Sequence, residues 1–218
     1  GTNSGIWFPV TFGSEWSIEF DWWLDNDASS DGEDMRVVFY APNQPSSYAG
    51  SQHGGYSVFH GFYGSETQRV RTPTDSDLVT RSVSYASSII RSGWYTQNLG
   101  YNKHVTVSYN NGVLFTGVTG TNTTALNNGY SYTFTGSHLA AQQALWGTQT
   151  YVAITGRTGS FYDATQYIKN INISWGGETI VINTSSQVSI RDNVNGTLIN
   201  PTNSDLVNVS EERELSAM

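Results

Sequence analysis

The 218-residue chain contains no cysteine, which excludes a disulfide framework and any thiol-based nucleophile or metal site. Basic residues are scarce as well: ten Lys and Arg stand against eighteen Asp and Glu, and the formal net charge is -8. A phosphate backbone demands clustered positive charge, so we expect no nucleic-acid partner. No apolar run approaches the roughly 18 residues of a membrane helix, so we expect no membrane insertion.

Glycine and aromatic residues are abundant, with 22 Gly, 13 Tyr and 7 Trp, and charged residues make up only 13% of the chain. This composition favours strands and turns over amphipathic helices. Turn signals such as Asn110-Asn111-Gly112 separate segments of alternating polarity, which predicts many short strands in a sandwich or barrel. The predicted strands are residues 16–24, 35–40, 56–62, 81–90, 103–109, 113–118, 130–134, 151–154 and 168–175.

One segment, residues 137–145, lacks alternation and is rich in helix formers. It predicts a single short helix with Ser137 as its N-cap.

Three stretches within residues 6–175 carry a resemblance to a known family. Residues 32–42 read Gly-Glu-Asp-Met-Arg-Val-Val-Phe-Tyr-Ala-Pro, residues 54–59 read Gly-Gly-Tyr-Ser-Val-Phe, and residues 151–159 read Tyr-Val-Ala-Ile-Thr-Gly-Arg-Thr-Gly. In this order they resemble segments of the L-type, legume-lectin-like or concanavalin A-like, lectins. The resemblance implies an all-β, antiparallel two-sheet jelly-roll sandwich that holds carbohydrate in loops at the rim of its curved front sheet.

The same resemblance implies the binding residues. Asp34 falls where the family keeps a carboxylate that accepts hydrogen bonds from two sugar hydroxyls, and an ionised carboxylate makes the stronger, charge-assisted kind of bond. Gly54 and Gly55 match a glycine loop whose main chain approaches the ligand. Residues 159–164 match the variable specificity loop. The other readings are a turn cap for Asp34, plain turn glycines, and loop aromatics that anchor the loop on the sheet. From the loop at residues 159–164, the predicted carbohydrate-binding residues are Phe161, Tyr162 and Asp163.

The metal site of the legume members is where the match fails. Residues 70–74 occupy the place of the family's Glu-x-Asp strand, and Arg81 occupies the place of its His. A transition metal is therefore not expected. Asp75 and Asp77 are candidate ligands for one Ca²⁺, against the alternative of a solvated loop. A further hypothesis is that Arg71 or Arg81 replaces the metal by donating hydrogen bonds to the backbone of the site.

Two neighbouring carboxylates, Glu19 and Asp21, raise the question of glycosidase activity. Retaining glucanases on a similar jelly roll carry Glu-x-Asp-x-Glu on one strand face, and such an enzyme needs a pair of carboxyl groups. Here the third position is Trp23, so the second Glu is missing. We therefore interpret Glu19 and Asp21 as the polar face of a strand.

Residues 1–177 are predicted to form the jelly roll. Residues 178–218 are predicted to be a C-terminal extension, which either supplies extra strands that complete the sandwich or begins a linker or stalk. The sequence predicts a non-catalytic lectin domain, an adhesion or receptor-binding module of a larger extracellular, cell-surface or virion-surface protein, with a glycan or glycoprotein as partner. The alternatives are a structural or protein-binding jelly roll and, third, a glycoside hydrolase or lyase.

Overall fold

The computed structural model describes residues 3–25, 34–43, 54–61, 67–83, 103–120, 129–157, 165–182 and 188–190. These residues form two antiparallel sheets. The six-stranded sheet has the order β1 (Asn3–Val10), β10 (Thr150–Arg157), β3 (Asp34–Ala41), β4 (Tyr56–Gly61), β5 (Thr67–Arg71) and β6 (Asp77–Ser82). The seven-stranded sheet has the order β12 (Glu178–Ile182), β11 (Thr165–Trp175), β2 (Glu15–Asp25), β7 (Lys103–Asn110), β8 (Val113–Gly120) and β9 (Tyr130–Thr133), with β13 (Val188–Ile190) also paired to β11.

The sandwich and its single short helix in the described part of the chain confirm the predicted fold class. The helix, α1, spans Gly136–Gln143. Its N-cap is Thr135 rather than the predicted Ser137, and the Thr135 side chain makes no capping hydrogen bond. Within the described residues, no helix has the length and apolar character needed to cross a membrane.

Two tight turns join strands at the end of the sandwich that carries α1, which we call the helix end. Asn111 and Gly112 have φ values of 48° and 89°, and Gly176 and Gly177 have φ values of 49° and 86°. Positive φ at both central residues is the requirement of the two-residue hairpin turn that suits twisted strands. The predicted hairpin at Asn111-Gly112 is thereby confirmed.

Aromatic rings stack in the core between the sheets at the helix end. The Trp16 ring lies between Phe12 and Tyr109, at centroid distances of 4.8 and 5.5 Å and nearly parallel to both. The Trp16 indole N–H donates to the Tyr40 hydroxyl over 3.1 Å, and that hydroxyl donates to the Gly13 carbonyl over 2.6 Å. Burial raises the pKa of Tyr40 and also raises the pKa of Tyr109, the latter to about 12. Both phenols therefore stay neutral donors at ordinary pH.

The segment after Gly177 contributes to the seven-stranded sheet. Residues 171–175 of β11 pair with β12, and residues 166–168 pair with β13. Ile180 and Ile182 belong to the main core cluster. Strand pairing inside the sandwich is what the extra-strand alternative for residues 178–218 requires.

A buried histidine, His60 on β4, lies between the two sheets. Its Nε2 atom is 3.3 Å from the Thr116 hydroxyl on β8, and its side chain has no exposure to solvent. Burial lowers the pKa of His60 from 6.5 to about 3, because the charged imidazolium cannot be solvated there. The folded protein therefore keeps this imidazole neutral at pH values where an unfolded chain protonates it.

We expect His60 to make the fold sensitive to acid. Between pH 6.5 and about 3 only the unfolded chain binds a proton at this position, so stability falls with falling pH by roughly 1.4 kcal/mol per pH unit. A His60→Gln variant removes this dependence and keeps a hydrogen-bonding group near Thr116. Urea unfolding at pH 7, 5.5 and 4 measures the difference, with His104→Gln on the outer face as control. Equal pH slopes for wild type and His60→Gln would contradict the assignment.

Candidate functional site

The outward-facing sides of the two sheets differ in character. On the six-stranded sheet the outer side is largely buried and holds a second apolar cluster of Trp7, Val38, Ala41 and Ala153. On the seven-stranded sheet the outer side is polar and half-exposed, as the alternation along β7 shows. The buried outer side explains why β1 was missed as a strand: Trp7 and its neighbour Phe8 are both fully buried, so the segment has no alternation to detect.

A charged cluster occupies the outer side of the six-stranded sheet, and we call it the arginine cluster. Three guanidinium groups lie 4.7 to 5.2 Å from the centroid of the Phe59 ring. The Asp75 Oδ1 atom accepts a hydrogen bond from each of two of these guanidinium groups at 3.0 Å, and the Asp77 carboxylate accepts from two at 2.7 and 3.3 Å. The guanidinium groups belong to Arg36, Arg69 and Arg71.

The turn that presents Asp75 is fixed locally. The Asp75 N–H donates to the Thr72 carbonyl, the Thr72 N–H donates to the Ser76 carbonyl, and Asp75 has a φ of 62°. Asp is one of the residues that tolerates this left-handed conformation. The carboxylate is therefore held toward the guanidinium groups by the main chain.

This arrangement does not fit a calcium site. Calcium needs six to eight oxygen ligands, whereas Asp75 and Asp77 are already engaged by arginines. Among the described residues, no three His, Cys, Asp or Glu side chains are grouped so as to hold a metal ion. Arg71 donates a hydrogen bond to the carboxylate of Asp75. Arg81 donates to a backbone group, the Gly129 carbonyl, at 3.2 Å.

The predicted carbohydrate-binding residues are divided by the strand register. Asp34 opens β3, where its Cα is paired with Arg157 on one side and Gly61 on the other. Gly55 precedes Tyr56, which is paired with Phe39, five residues further along β3. Gly55 is six residues from Gly61, so at about 3.3 Å per residue it lies about 20 Å from Asp34 along the strands. The structure therefore does not bring Asp34 together with Gly54 and Gly55.

Gly54 and Gly55 have conformational and packing roles at the helix end. Gly54 has a φ of 62°, a conformation that favours glycine. A Cβ atom on Gly55 would lie 2.7 Å from the Phe39 carbonyl oxygen and 2.9 Å from the Ala41 side chain. Gly55 therefore lets β4 start close against β3, which is the plainer of the two readings of these glycines.

Phe161, Tyr162 and Asp163 lie outside the described residues. In the sequence, the predicted loop at residues 159–164 follows shortly after Arg157, the partner of Asp34. The chain thus enters the predicted specificity loop at the end of the six-stranded sheet where Asp34 lies.

Glu19 and Asp21 lie on the outer side of the seven-stranded sheet, opposite buried Ile18 and Phe20. The Asp21 carboxylate accepts hydrogen bonds from His104 Nδ1 at 2.9 Å and from Asn170 Nδ2 at 2.7 Å. Asp21 is 18% and His104 37% exposed. The position matches the predicted polar strand face.

A feature that sequence reasoning missed is an open trough at the helix end of the seven-stranded sheet, with a volume of about 930 Å³. Its floor includes serines from three neighbouring strands, Ser108, Ser17 and Ser174. Each serine is unremarkable in the sequence, and only the strand order puts them in one row.

The chain was compared with known proteins. No protein-family model matches it, and no curated protein matches its sequence. Among solved structures, it is similar to lectin UEA-II in complex with galactose, with 13% identity, coverage of 76% of this chain and 77% of that chain, and a TM-score of 0.47. Lectin I-B4 from Griffonia simplicifolia in its metal-free form gives 13% identity, 76% coverage of each chain and a TM-score of 0.47.

A third similar structure is an enzyme. Scytalido-glutamic peptidase with a peptide-based transition state analog gives 8% identity, coverage of 86% of this chain and 88% of that chain, and a TM-score of 0.42. The prediction that the chain is not an enzyme is therefore contradicted, since peptidases match with the same probability as lectins. At these identities and TM-scores the likenesses do not decide between a lectin and a peptidase.

The arginine cluster predicts a stability loss on removal of one charge. Asp75→Asn leaves the 5% exposed Arg36 side chain without this carboxylate, so we expect a loss of about 2 to 4 kcal/mol in the free energy of unfolding. Asp77→Asn, at a 36% exposed side chain, is the matched control and should cost about 1 kcal/mol or less. Guanidinium chloride unfolding measures both. Equal losses for the two variants would contradict the larger contribution assigned to Asp75.

Calcium should leave the protein unchanged. Because arginines engage both Asp75 and Asp77, neither about 5 mM CaCl₂ nor excess EDTA is expected to shift the thermal midpoint. Roughly 5 mM exceeds the dissociation constants of calcium sites, which reach about 1 mM in extracellular modules. Differential scanning calorimetry provides the measurement. A midpoint that rises with calcium in the wild type but not in Asp75→Asn would restore the calcium site.

Proposed function

We propose that the chain binds carbohydrate at the end of the six-stranded sheet that carries Asp34. The observation that carries this proposal is the register: Asp34 is paired with Arg157, after which the sequence enters residues 158–164. The strand that pairs with Asp34 therefore ends shortly before the predicted specificity loop in the sequence, which supports a common site for two of the three predicted binding elements. The third, the glycine pair, is not included in the proposed site.

The chemistry of these residues suits a sugar ligand. An ionised Asp34 is an acceptor with two oxygens, which can receive hydrogen bonds from two neighbouring hydroxyl groups and so fix the orientation of a pyranose ring. Phe161 and Tyr162 supply flat faces for stacking against the ring, and Asp163 supplies a second acceptor. With a net charge of -8, the chain favours neutral over acidic glycans.

The biological setting remains part of the proposal. A glycan or glycoprotein partner and an extracellular, cell-surface or virion-surface location follow from a sugar-binding role. A shallow rim site gives modest monovalent affinity, so presentation of several copies by a larger protein would raise the apparent affinity.

A protein-binding or structural jelly roll is the second candidate function. The observation that favours it is the arginine cluster, which stands where the resemblance places metal ligands. A domain whose metal region has become an internal ion-pair network keeps its fold without keeping sugar recognition.

A glycan array with wild type and Asp34→Asn separates these candidates. We expect at least one glycan class to bind wild type and to lose tenfold or more of its affinity in the variant, since a charge-assisted hydrogen bond contributes about 1.5 to 3 kcal/mol. Asp21→Asn, on the other sheet, is the matched control and should bind as wild type does. If the wild type binds no glycan on a broad array, the result favours the protein-binding alternative. Unchanged binding by Asp34→Asn would place the sugar elsewhere.

A further inference from the structure

The open trough lies at the end of the sandwich opposite Asp34. It has a volume of about 930 Å³ and is bordered by β7, β2, β11 and β12. This volume is in the range of ligand pockets in proteins. Because its floor is built on paired strands, the groups that line the floor are held in fixed positions.

A row of hydroxyl groups crosses the floor of the trough. Ser17 is paired with Ser108 on one side and with Ser174 on the other, and Ser174 is paired with Thr179. The Ser17 and Ser174 hydroxyl oxygens are 2.8 Å apart. Ser17 points outward because its neighbours Trp16 and Ile18 are buried in the core. At about 4.8 Å between strands, the row spans about 14 Å.

Hydrogen-bond acceptors border this floor. Glu15 and Glu178 are both exposed and border the trough. Trp175 is partly exposed and packs edge-on against Phe12 at a centroid distance of 5.5 Å. Trp175 follows outward-facing Ser174 and is paired with buried Trp16, so its indole belongs to the core side of β11.

The described lining excludes several classes of ligand. It contains no Lys, Arg or His, while two carboxylates are present, so phosphate, sulfate and other anions would be repelled. The lining exposes polar and apolar surface in similar amounts. A neutral ligand with hydroxyl groups and an apolar ring face fits this lining.

We propose that the trough binds a neutral oligosaccharide across the strands. Serine hydroxyls both donate and accept hydrogen bonds, and so do sugar hydroxyls, while the two carboxylates accept from further hydroxyls. The site shares only its ligand class with the proposed function and does not depend on Asp34, so the chain would hold two separate sugar sites.

The test uses calorimetric titration of the full chain with neutral gluco-, manno- and galacto-oligosaccharides of two to six units. Ser17→Phe fills the floor, and Glu15→Gln removes one exposed charge without changing shape. Thr119→Phe, exposed on the same outer side but on β8 away from the trough, is the matched control. Equal thermal midpoints establish that the variants are folded, and Glu15→Gln keeps the test valid if Ser17→Phe is unstable.

We expect one oligosaccharide series to bind wild type, Asp34→Asn and Thr119→Phe alike. The same series should bind at least tenfold more weakly to Ser17→Phe and severalfold more weakly to Glu15→Gln. Binding that is lost in Asp34→Asn and unchanged in both trough variants would overturn the trough while leaving the proposed function in place. A preference for sulfated over neutral oligosaccharides in the Ser17-dependent binding, or for peptides, would also overturn it.

Discussion

Side-chain alternation along β2 is the constraint on which both the core and the open face of the sandwich depend. Trp16, Ile18, Phe20 and Trp22 are at most 2% exposed, and the residues between them face outward. β2 lies in the middle of the seven-stranded sheet and is paired on both sides over much of its length, so its register also sets the positions of Ser108 and Ser174. A slip by one residue would move the indoles to solvent and the carboxylates into the core.

The arginine cluster shows how the fold can hold a charged turn without an ion. A guanidinium group is a cation on a covalent stem, and it is always protonated. Arg36 and Arg71 converge on one Asp75 oxygen, which fixes the turn at residues 72–76 against the sheet. Both guanidinium groups lie over the face of the Phe59 ring and make cation–π contacts with it. The positive charge is therefore part of the sequence and does not vary with metal supply.

Much of the fold could be predicted from the sequence, because half-buried strands alternate and Asn-Gly turns are distinctive. The alternation found β2, β7 and β8, and the turn at Asn111-Gly112 fixed the pairing of the last two. β1 and β5 were not predicted. β5 is short, and its sequence Thr-Gln-Arg-Val-Arg contains a single apolar residue, Val70. In β1, Trp7 and Phe8 are buried on opposite sides of one strand. Burial on both sides removes the contrast on which pattern reading relies.

The candidate sites could be predicted only in part, since they depend on strand neighbours rather than on sequence spacing. The resemblance placed Asp34 and Gly55 together, yet the antiparallel register puts them at opposite ends of one hairpin. Predicting the serine row would have required the order of four strands, which no local pattern reveals.

The most direct measurement is a map of backbone amide shifts in the ¹⁵N-labelled chain as a neutral oligosaccharide is added. We expect shifts around Asp34, Gly61 and Arg157, and a separate group around Ser17 and Ser174. Shifts in neither group, with binding elsewhere or no binding, would contradict both proposed sugar sites.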